Sequence, residues 1–506
     1  MGEQGRQESE RGKWLALTAA LLGWMFDGFE MGVFSMVGRP AVKDLLATTN
    51  EGEIGLWFGI ITAGFLVGAA TGGVLFGWLG DRIGRVRAMT LSVLTYAVFT
   101  GACGLADSAW QIGILRFIAA LGMGGEWSLG VALVMEVWPN RSRAFMAGLI
   151  GAAANVGYLL VGFASLGLAA LPLTSLGSWA VDANARPSWR FMMLLGTAPA
   201  LLTFFIRLFV PESRRWEEEK SRGATTGWAA RDLLGVAAGV LGPALIVCLW
   251  AFELPAWVPA PLAVRLIGTA VGLAIAIAGY SYPVIRYLGR QDHPADGSRI
   301  WSPTLRRMLL AACLSGVALL GTWSATQWAP TWADQLTQSA ERAKEHTQIW
   351  LALGAIVGTI AAALLGDLIG RRPAYFLLCL TSLGSVALLF LGNKEYSTAF
   401  LASAFVAGCC TASFYGWLPL YLPELFRTAV RATGQGFGFN FGRILAAVGV
   451  LQAGNLVGLF SHDVTVGPLK LPAGYPLACS VVSLIYVVGM VIIWFAPETR
   501  GKPLPE

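Results

Sequence analysis

The chain has 506 residues, of which 56% are hydrophobic and only 13% charged, with 20 Trp and 62 Gly. Soluble globular chains carry about 25% charged residues, and Gly and interface-seeking Trp are favoured in membranes, so this composition excludes a soluble enzyme, a disordered chain and a nucleic-acid binder. The formal charge of +6 needs another source, and the placement of the basic residues supplies it.

A membrane-crossing helix needs about 20 mostly apolar residues. Fourteen segments qualify: roughly 14–38, 54–77, 88–106, 111–137, 144–171, 189–210, 232–252, 262–285, 308–331, 348–368, 373–392, 397–420, 432–459 and 475–496. The first 13 residues are polar and no A-x-A site follows, so no signal peptide is expected. With the N-terminus inside, and with Arg190, Arg207 and Arg265 at span edges counted with the adjoining loops, 25 Lys and Arg fall in cytoplasmic segments, 9 in outer ones and two, Arg116 and Arg443, within spans. Such a bias sets orientation; it puts both termini in the cytoplasm and accounts for the charge without nucleic acid. The seven Cys form no CxxC pair, and Cys103, Cys248, Cys313, Cys379 and Cys479 fall in apolar runs as small buried hydrophobes. The three His (His293, His346 and His462) lie in polar segments. Neither a metal site nor a cofactor is expected.

The chain repeats itself. Gly80-Asp81-Arg82-Ile83-Gly84-Arg85 recurs as Gly366-Asp367-Leu368-Ile369-Gly370-Arg371 at an offset of 286. Glu136 with Arg143 recurs as Glu424 with Arg431 at 288, and Pro211-Glu212-Ser213 as Pro497-Glu498-Thr499 at 286. Repeats of this kind mark transporter architecture. They divide the chain into a first half at 1–215, a linker with two candidate spans at 216–304, and a second half at 305–506.

These motifs resemble those of the major facilitator superfamily over nearly the whole chain. Residues Gly77 to Arg85 are similar to its G-x-L-x-D-R-x-G-R loop, although Leu368 replaces the second copy's Arg. Arg116 followed by Gly122-Met123-Gly124-Gly125-Glu126-Trp127 resembles the fourth helix of sugar and organic-acid porters. Asp27-Gly28-Phe29-Glu30 resembles the first helix of proton-coupled acid symporters, with Glu30 where Asp is commoner. Gly436-Phe437-Gly438-Phe439-Asn440-Phe441-Gly442-Arg443 is similar to the eleventh helix of the sialate:proton symporter family. The resemblance implies an all-α integral membrane protein of the major facilitator fold, two six-helix halves plus a central two-helix insertion. Its function would be proton-coupled symport of a small organic anion, such as sialic acid, lactate or pyruvate, by a monomer in the cell membrane. A neutral sugar transporter or a uniporter is the alternative. A receptor would be expected to add a signalling tail, and no nucleophile–base pair suggests an enzyme.

Ionisable groups at mid-bilayer cost about 2.5–3.5 kcal/mol on insertion scales, so they face a cavity or one another. Asp27 and Glu30 are three apart and share a helix face. The resemblance places Asp27 near Arg116, either as a proton switch or as a permanent structural pair; Glu30 is a second proton site or a cavity liner. Glu126 lies ten residues beyond Arg116, about 15 Å of helix rise, so it is expected outside that cluster, bonding across a Gly-mediated helix contact or serving transport. Arg443 offers a planar donor fork that suits a carboxylate, or else snorkels to the interface. Asn440 is expected on the same face as Arg443. Asn155, Tyr158, Trp323, Gln327, Trp328, Tyr415 and Trp417 could line the same cavity, or some of these aromatics could belong to interface belts. The resemblance further implies an inner gate of ion pairs from Asp81, Arg85, Glu136, Arg141, Arg143 and Glu212 in the first half. Its second-half members are Asp367, Arg371, Arg372, Glu424, Arg427, Arg431 and Glu498.

Overall fold

The structure is a computed structural model, and it describes residues 3–138, 142–169, 188–198, 202, 205, 206, 209–291, 301–338, 342–460, 462, 464–466 and 469–505. The first set of helices is α1 (Glu3–Leu46), α2 (Glu51–Ile83), α3 (Arg85–Cys103), α4 (Ala109–Val137), α5 (Arg143–Ala169) and α6 (Trp189–Leu195). A short α7 (Arg214–Ser221) leads to a hairpin of α8 (Leu233–Ala251) and α9 (Pro261–Gln291). The second set runs α10 (Trp301–Ser324), α11 (Ala329–Leu336), α12 (Ala343–Ile369), α13 (Arg371–Gly392), α14 (Thr398–Thr411) and α15 (Phe414–Tyr421). It ends with α16 (Arg431–Asn440), α17 (Arg443–Leu459), α18 (Tyr475–Ser483) and α19 (Ile485–Ile492). A two-stranded antiparallel ribbon, Val464–Val466 with Leu469–Leu471, joins α17 to α18.

Among the described residues, twelve helical stretches are long and apolar enough to cross a membrane. Two of the fourteen expected spans fall outside that number. The segment 189–210 lies partly outside the described residues. The segment 432–459 is divided into α16 and α17 by a break at Phe441 and Gly442. Similar breaks separate α10 from α11 at Ala325 and α14 from α15 at Ala412 and Ser413. Helices that pause in this way expose backbone and are tolerated at membrane depth where they line a cavity or are buried in protein.

Helix ends follow the local sequence. Asn50 caps α2 by accepting from the N–H groups of Gly52 and Glu53, and Ser213 and Ser397 cap α7 and α14 from the same kind of position. The reversals from α2 to α3 and from α12 to α13 each take a single residue, Gly84 and Gly370, at φ +116° and +101°. Only glycine holds such angles without strain. This is why Gly recurs in both copies of the repeated loop.

The two sets meet along two seams. In one, α2 packs on α16 and α17; in the other, α5 packs on α12 and α15. The hairpin closes over the first seam, with α8 against both α2 and α17. Tyr280 shares a buried 2.8 Å hydrogen bond with Thr71, and Gln452 Nε2 donates to the Trp250 carbonyl at 2.9 Å. Its outer face carries exposed Leu234, Leu241, Leu262, Leu266 and Ile267. Few polar residues interrupt these two helices, which fits a peripheral position. Two expectations for cysteine change: Cys248 and Cys313 are exposed, whereas Cys103, Cys379 and Cys479 are buried. An apolar run in a membrane chain has no obligation to face inward, because lipid is as apolar as a core.

Candidate functional site

Between the two sets lies a cavity of about 840 Å³, counting the part that opens to the surroundings. Arg443, Asn155, Tyr158, Trp323, Gln327 and Tyr415, all expected from the sequence, line it. Arg443 is 6% exposed, its Nε and Nη1 have no hydrogen-bond partner among the described residues, and its guanidinium lies 5.7 Å from the Phe439 ring centroid. It sits at the first turn of α17, directly after the break, so the guanidinium starts a helix at the cavity wall rather than continuing one. Trp323 and Gln327 flank the break after Ser324 and both face the hollow. Asn155 donates to the Gly151 carbonyl at 3.0 Å.

Two expected liners lie elsewhere. Asn440 is fully buried in the α2 seam, where Nδ2 donates to the carbonyls of Gly124 at 2.9 Å and Gly436 at 3.1 Å. The break at Phe441 and Gly442 destroys the i, i+3 relation that put Asn440 beside Arg443. Trp417 packs on Tyr375, with ring centroids 4.8 Å apart, in the core of the second set. Trp328 lines a second hollow instead, with Arg39, Lys344, Ser35 and Thr331. The two hollows share Met31, Trp323 and Gln327. The sequence reading missed Thr322, Thr326, Gln348 and Thr411 as cavity liners. None stands alone in an apolar run, since Ser324 lies between Thr322 and Thr326, Gln348 follows Glu345, His346 and Thr347, and Ser413 follows Thr411, so spacing did not flag them.

The buried charges pair differently from the expectation. Arg116 is ion-paired with Glu30, not with Asp27, and Thr100 Oγ1 donates to Glu30 at 3.0 Å. Phe34 and Phe65 sandwich the guanidinium, each ring centroid 4.3 Å away. Stacking of this kind stabilises a desolvated cation by about 2 kcal/mol. Asp27 faces Glu126 and stands in the field of Arg443. The physical reason is direction. α1 and α4 run antiparallel, so the later acid on α1 is level with the earlier residue on α4. Glu126 is indeed apart from Arg116, as the helix rise required, but it is not apart from Asp27.

At the end of the bundle that holds the repeated motifs, ion pairs bind the two sets together. Arg85 donates to Asp81 at 2.7 Å, to Glu136 at 3.3 Å and to the Thr428 carbonyl at 2.9 Å. Asp81 in turn accepts from Thr433 N at 2.9 Å and Thr433 Oγ1 at 2.6 Å, so an acid of the first set caps α16 of the second. Arg431 donates to Glu136 at 2.9 Å and to the Pro505 carbonyl at 2.7 Å. The second copy repeats the local geometry: Arg371 binds Glu424 at 2.7 Å and Asp367 at 3.3 Å. Ser213 and Thr499 each donate to the matching Glu at 2.5 Å. Glu212 accepts from Arg85 N at 2.9 Å, and Glu498 from Arg371 N at 3.0 Å. Burial pushes the Glu498 carboxyl up, but the N–H groups of Arg371, Arg372, Arg500 and Thr499 outweigh it and hold it below the usual range. Arg143 and Arg431 open α5 and α16, where a cation opposes the helix dipole; Glu424 and Glu136 compensate them. Of the other expected members, Arg141 lies outside the described residues, and Arg372 donates to the Ala496 carbonyl at 2.5 Å. Arg427 is exposed.

The copies differ in one respect. The Asp81 side chain is fully buried across the seam, whereas that of Asp367 is 52% exposed and bonds within its own set.

The sequence matches the model of the major facilitator superfamily over residues 19–450. The chain belongs to that superfamily. A putative metabolite transport protein of Haemophilus influenzae is 27% identical, covering 97% of this chain and 98% of that protein. A cis,cis-muconate transport protein of Acinetobacter baylyi is 23% identical, over 94% of each. A sialic acid transporter of Escherichia coli is 27% identical over 42% of this chain and 47% of its own length. Among solved structures, the proton:xylose symporter XylE bound to 6-bromo-6-deoxy-D-glucose superposes with a TM-score of 0.67 at 20% identity, covering 97% of each chain. This likeness establishes the fold. The protein is thus an all-helical multi-pass membrane transporter and not an enzyme.

Proposed function

We propose that this superfamily member is a proton-coupled symporter of a small organic anion, working by alternating access between two six-span halves. Arg443 carries the reading. A buried guanidinium with unmade hydrogen bonds costs free energy, and a substrate carboxylate entering the cavity would supply the charged acceptors it lacks. Asn155, Tyr158, Trp323, Gln327 and Tyr415 would contact the rest of the substrate. The relative named for cis,cis-muconate supports a carboxylate cargo over the whole chain length; sialic acid, lactate and pyruvate belong to the same chemical class. The Glu30–Arg116 pair would hold the coupling proton. Protonating Glu30 neutralises one partner, and the flanking phenyl rings offset part of the cost of leaving Arg116 unpaired. With one proton per monocarboxylate the loaded carrier is electroneutral, and each pH unit supplies about tenfold accumulation.

The motif end is the cytoplasmic end in this reading, by the excess of Lys and Arg there. The ion pairs across the seam form an inner gate, and the cavity communicates with the outer hollow by way of Trp323 and Gln327. The hairpin α8–α9 completes a fourteen-span arrangement, with the halves at 1–215 and 305–506 and the insertion at 216–304. The cell inner membrane is the expected location, with the monomer as the working unit.

Uptake into proteoliposomes with an imposed inward proton gradient tests the function. Labelled muconate, lactate, pyruvate, sialic acid and xylose are screened in parallel. Accumulation of a carboxylate above equilibrium, collapsing with a protonophore, is the expected result. Equilibration of xylose without any response to the gradient would sink the reading in favour of a sugar facilitator.

The gate carries its own prediction. Asp81→Asn removes the charge from bonds worth about 1.5–3 kcal/mol when ionised, which shifts a two-state equilibrium roughly 10–100-fold toward the inward-open form. Spin labels at Arg82 and Arg427, both exposed at this end, are expected to gain a longer distance in the variant. An unchanged distance distribution would remove Asp81 from the gate.

A further inference from the structure

Asp27 is 5% exposed and Glu126 1% exposed. Asp27 Oδ1, both Glu126 carboxyl oxygens and the Tyr96 hydroxyl are buried against one another, with no other hydrogen-bond partner among the described residues. The groups facing Asp27 are Glu126 from α4, Tyr96 from α3 and Arg443 from α17. Arg116 is occupied with Glu30. The Glu126 carboxylate reaches the bare Cα of Gly23 on α1, where a methyl group would overlap Oε1. Trp127 stacks on Phe439 at 3.7 Å and leans on Trp24 at 5.9 Å, which keeps the neighbourhood apolar.

Two carboxylates facing one another in a low-dielectric setting cannot both stay ionised, and a shared proton relieves the repulsion. We propose that Asp27 and Glu126 form a second proton-holding site, separate from Glu30–Arg116, and that Arg443 links its occupancy to the carboxylate substrate. In the empty carrier the pair holds one proton, and its remaining negative charge neutralises Arg443. An arriving substrate carboxylate takes over Arg443. The pair, stripped of its counter-charge, takes a second proton from the outer solution and becomes neutral. When substrate leaves on the inner side, Arg443 reclaims the pair's charge and that proton departs inward. No bond other than O–H is made or broken. Together with the proton on Glu30, two protons accompany each monocarboxylate, and one net positive charge enters per cycle.

This inference rests on the symport reading, and potential-driven uptake separates the two. Proteoliposomes are given a negative-inside potassium diffusion potential at equal pH on both sides. The probe is whichever of lactate, pyruvate or sialic acid, all monocarboxylates, the protein takes up fastest. Wild type is expected to accumulate it, with a limit of about fifty-fold per 100 mV for one net charge. The isosteric double variant Asp27→Asn with Glu126→Gln is expected to lose this response while still accumulating under a pH gradient. Wild-type uptake driven by the pH gradient but indifferent to potential would overturn the second site and leave one-proton symport standing. A double variant that keeps the full potential response would also overturn it. Absence of pH-driven accumulation in wild type would remove the symport reading itself.

Discussion

Arg443→Ala lowers the affinity for the transported carboxylate by roughly two orders of magnitude. The estimate follows from two charge-assisted hydrogen bonds at about 1.5–3 kcal/mol each, reduced by the desolvation that binding imposes on both groups. Arg443→Lys keeps the charge but not the planar fork, so most of the loss is expected to remain. Tryptophan fluorescence of the purified protein reads the binding directly, since Trp24 and Trp323 line the same cavity. Near-normal affinity in Arg443→Lys would show that the contact is a point charge. Near-normal affinity in Arg443→Ala would move the substrate carboxylate elsewhere.

Glu30→Gln is expected to abolish accumulation against a gradient while counterflow exchange of labelled for unlabelled substrate persists. The variant leaves the Arg116 charge buried without its acid, a change that costs about 3–5 kcal/mol in comparable sites. Lower thermal stability is therefore expected alongside the loss of coupling. The double variant Glu30→Gln with Arg116→Met separates these effects. Its packing is apolar and it is expected to regain stability, because well-packed hydrophobic replacements of buried pairs are often neutral or better. It should still fail to accumulate substrate. Recovery of both stability and accumulation would make the pair structural only.

The spans and the repeated motifs were legible because their causes are local. An apolar run of sufficient length has few alternatives to crossing the membrane, and Glu212, Ser213 and Arg85 make the same bonds as Glu498, Thr499 and Arg371. Arg443 was legible because a guanidinium in the middle of an apolar segment has to face something polar. The partners were less so. Three residues on a helix turn through about 300°, so Asp27 and Glu30 share a broad face yet look toward different neighbours. The antiparallel order of α1 and α4 would have assigned Glu30 to Arg116, had the alternation of spans been applied to the pair. Asn440 could not be placed by spacing, because the break at Phe441 and Gly442 changes the phase between it and Arg443. The glycine-rich stretch from Gly436 to Gly442 was the available warning.

The hairpin of α8 and α9 makes the two flanks of the bundle mechanically unequal. Along the seam of α5 and α12, Phe145, Phe163, Trp350 and Val357 are exposed on the outer surface, so acyl chains press there directly. Along the seam of α2 and α17, the hairpin stands between lipid and the joint. In the proposed alternating-access cycle, lateral pressure and bilayer thickness would therefore load the motion from one side, like a weight hung on a single arm of a balance. On that reading, a change of lipid composition would act on this carrier as a torque rather than as a uniform squeeze.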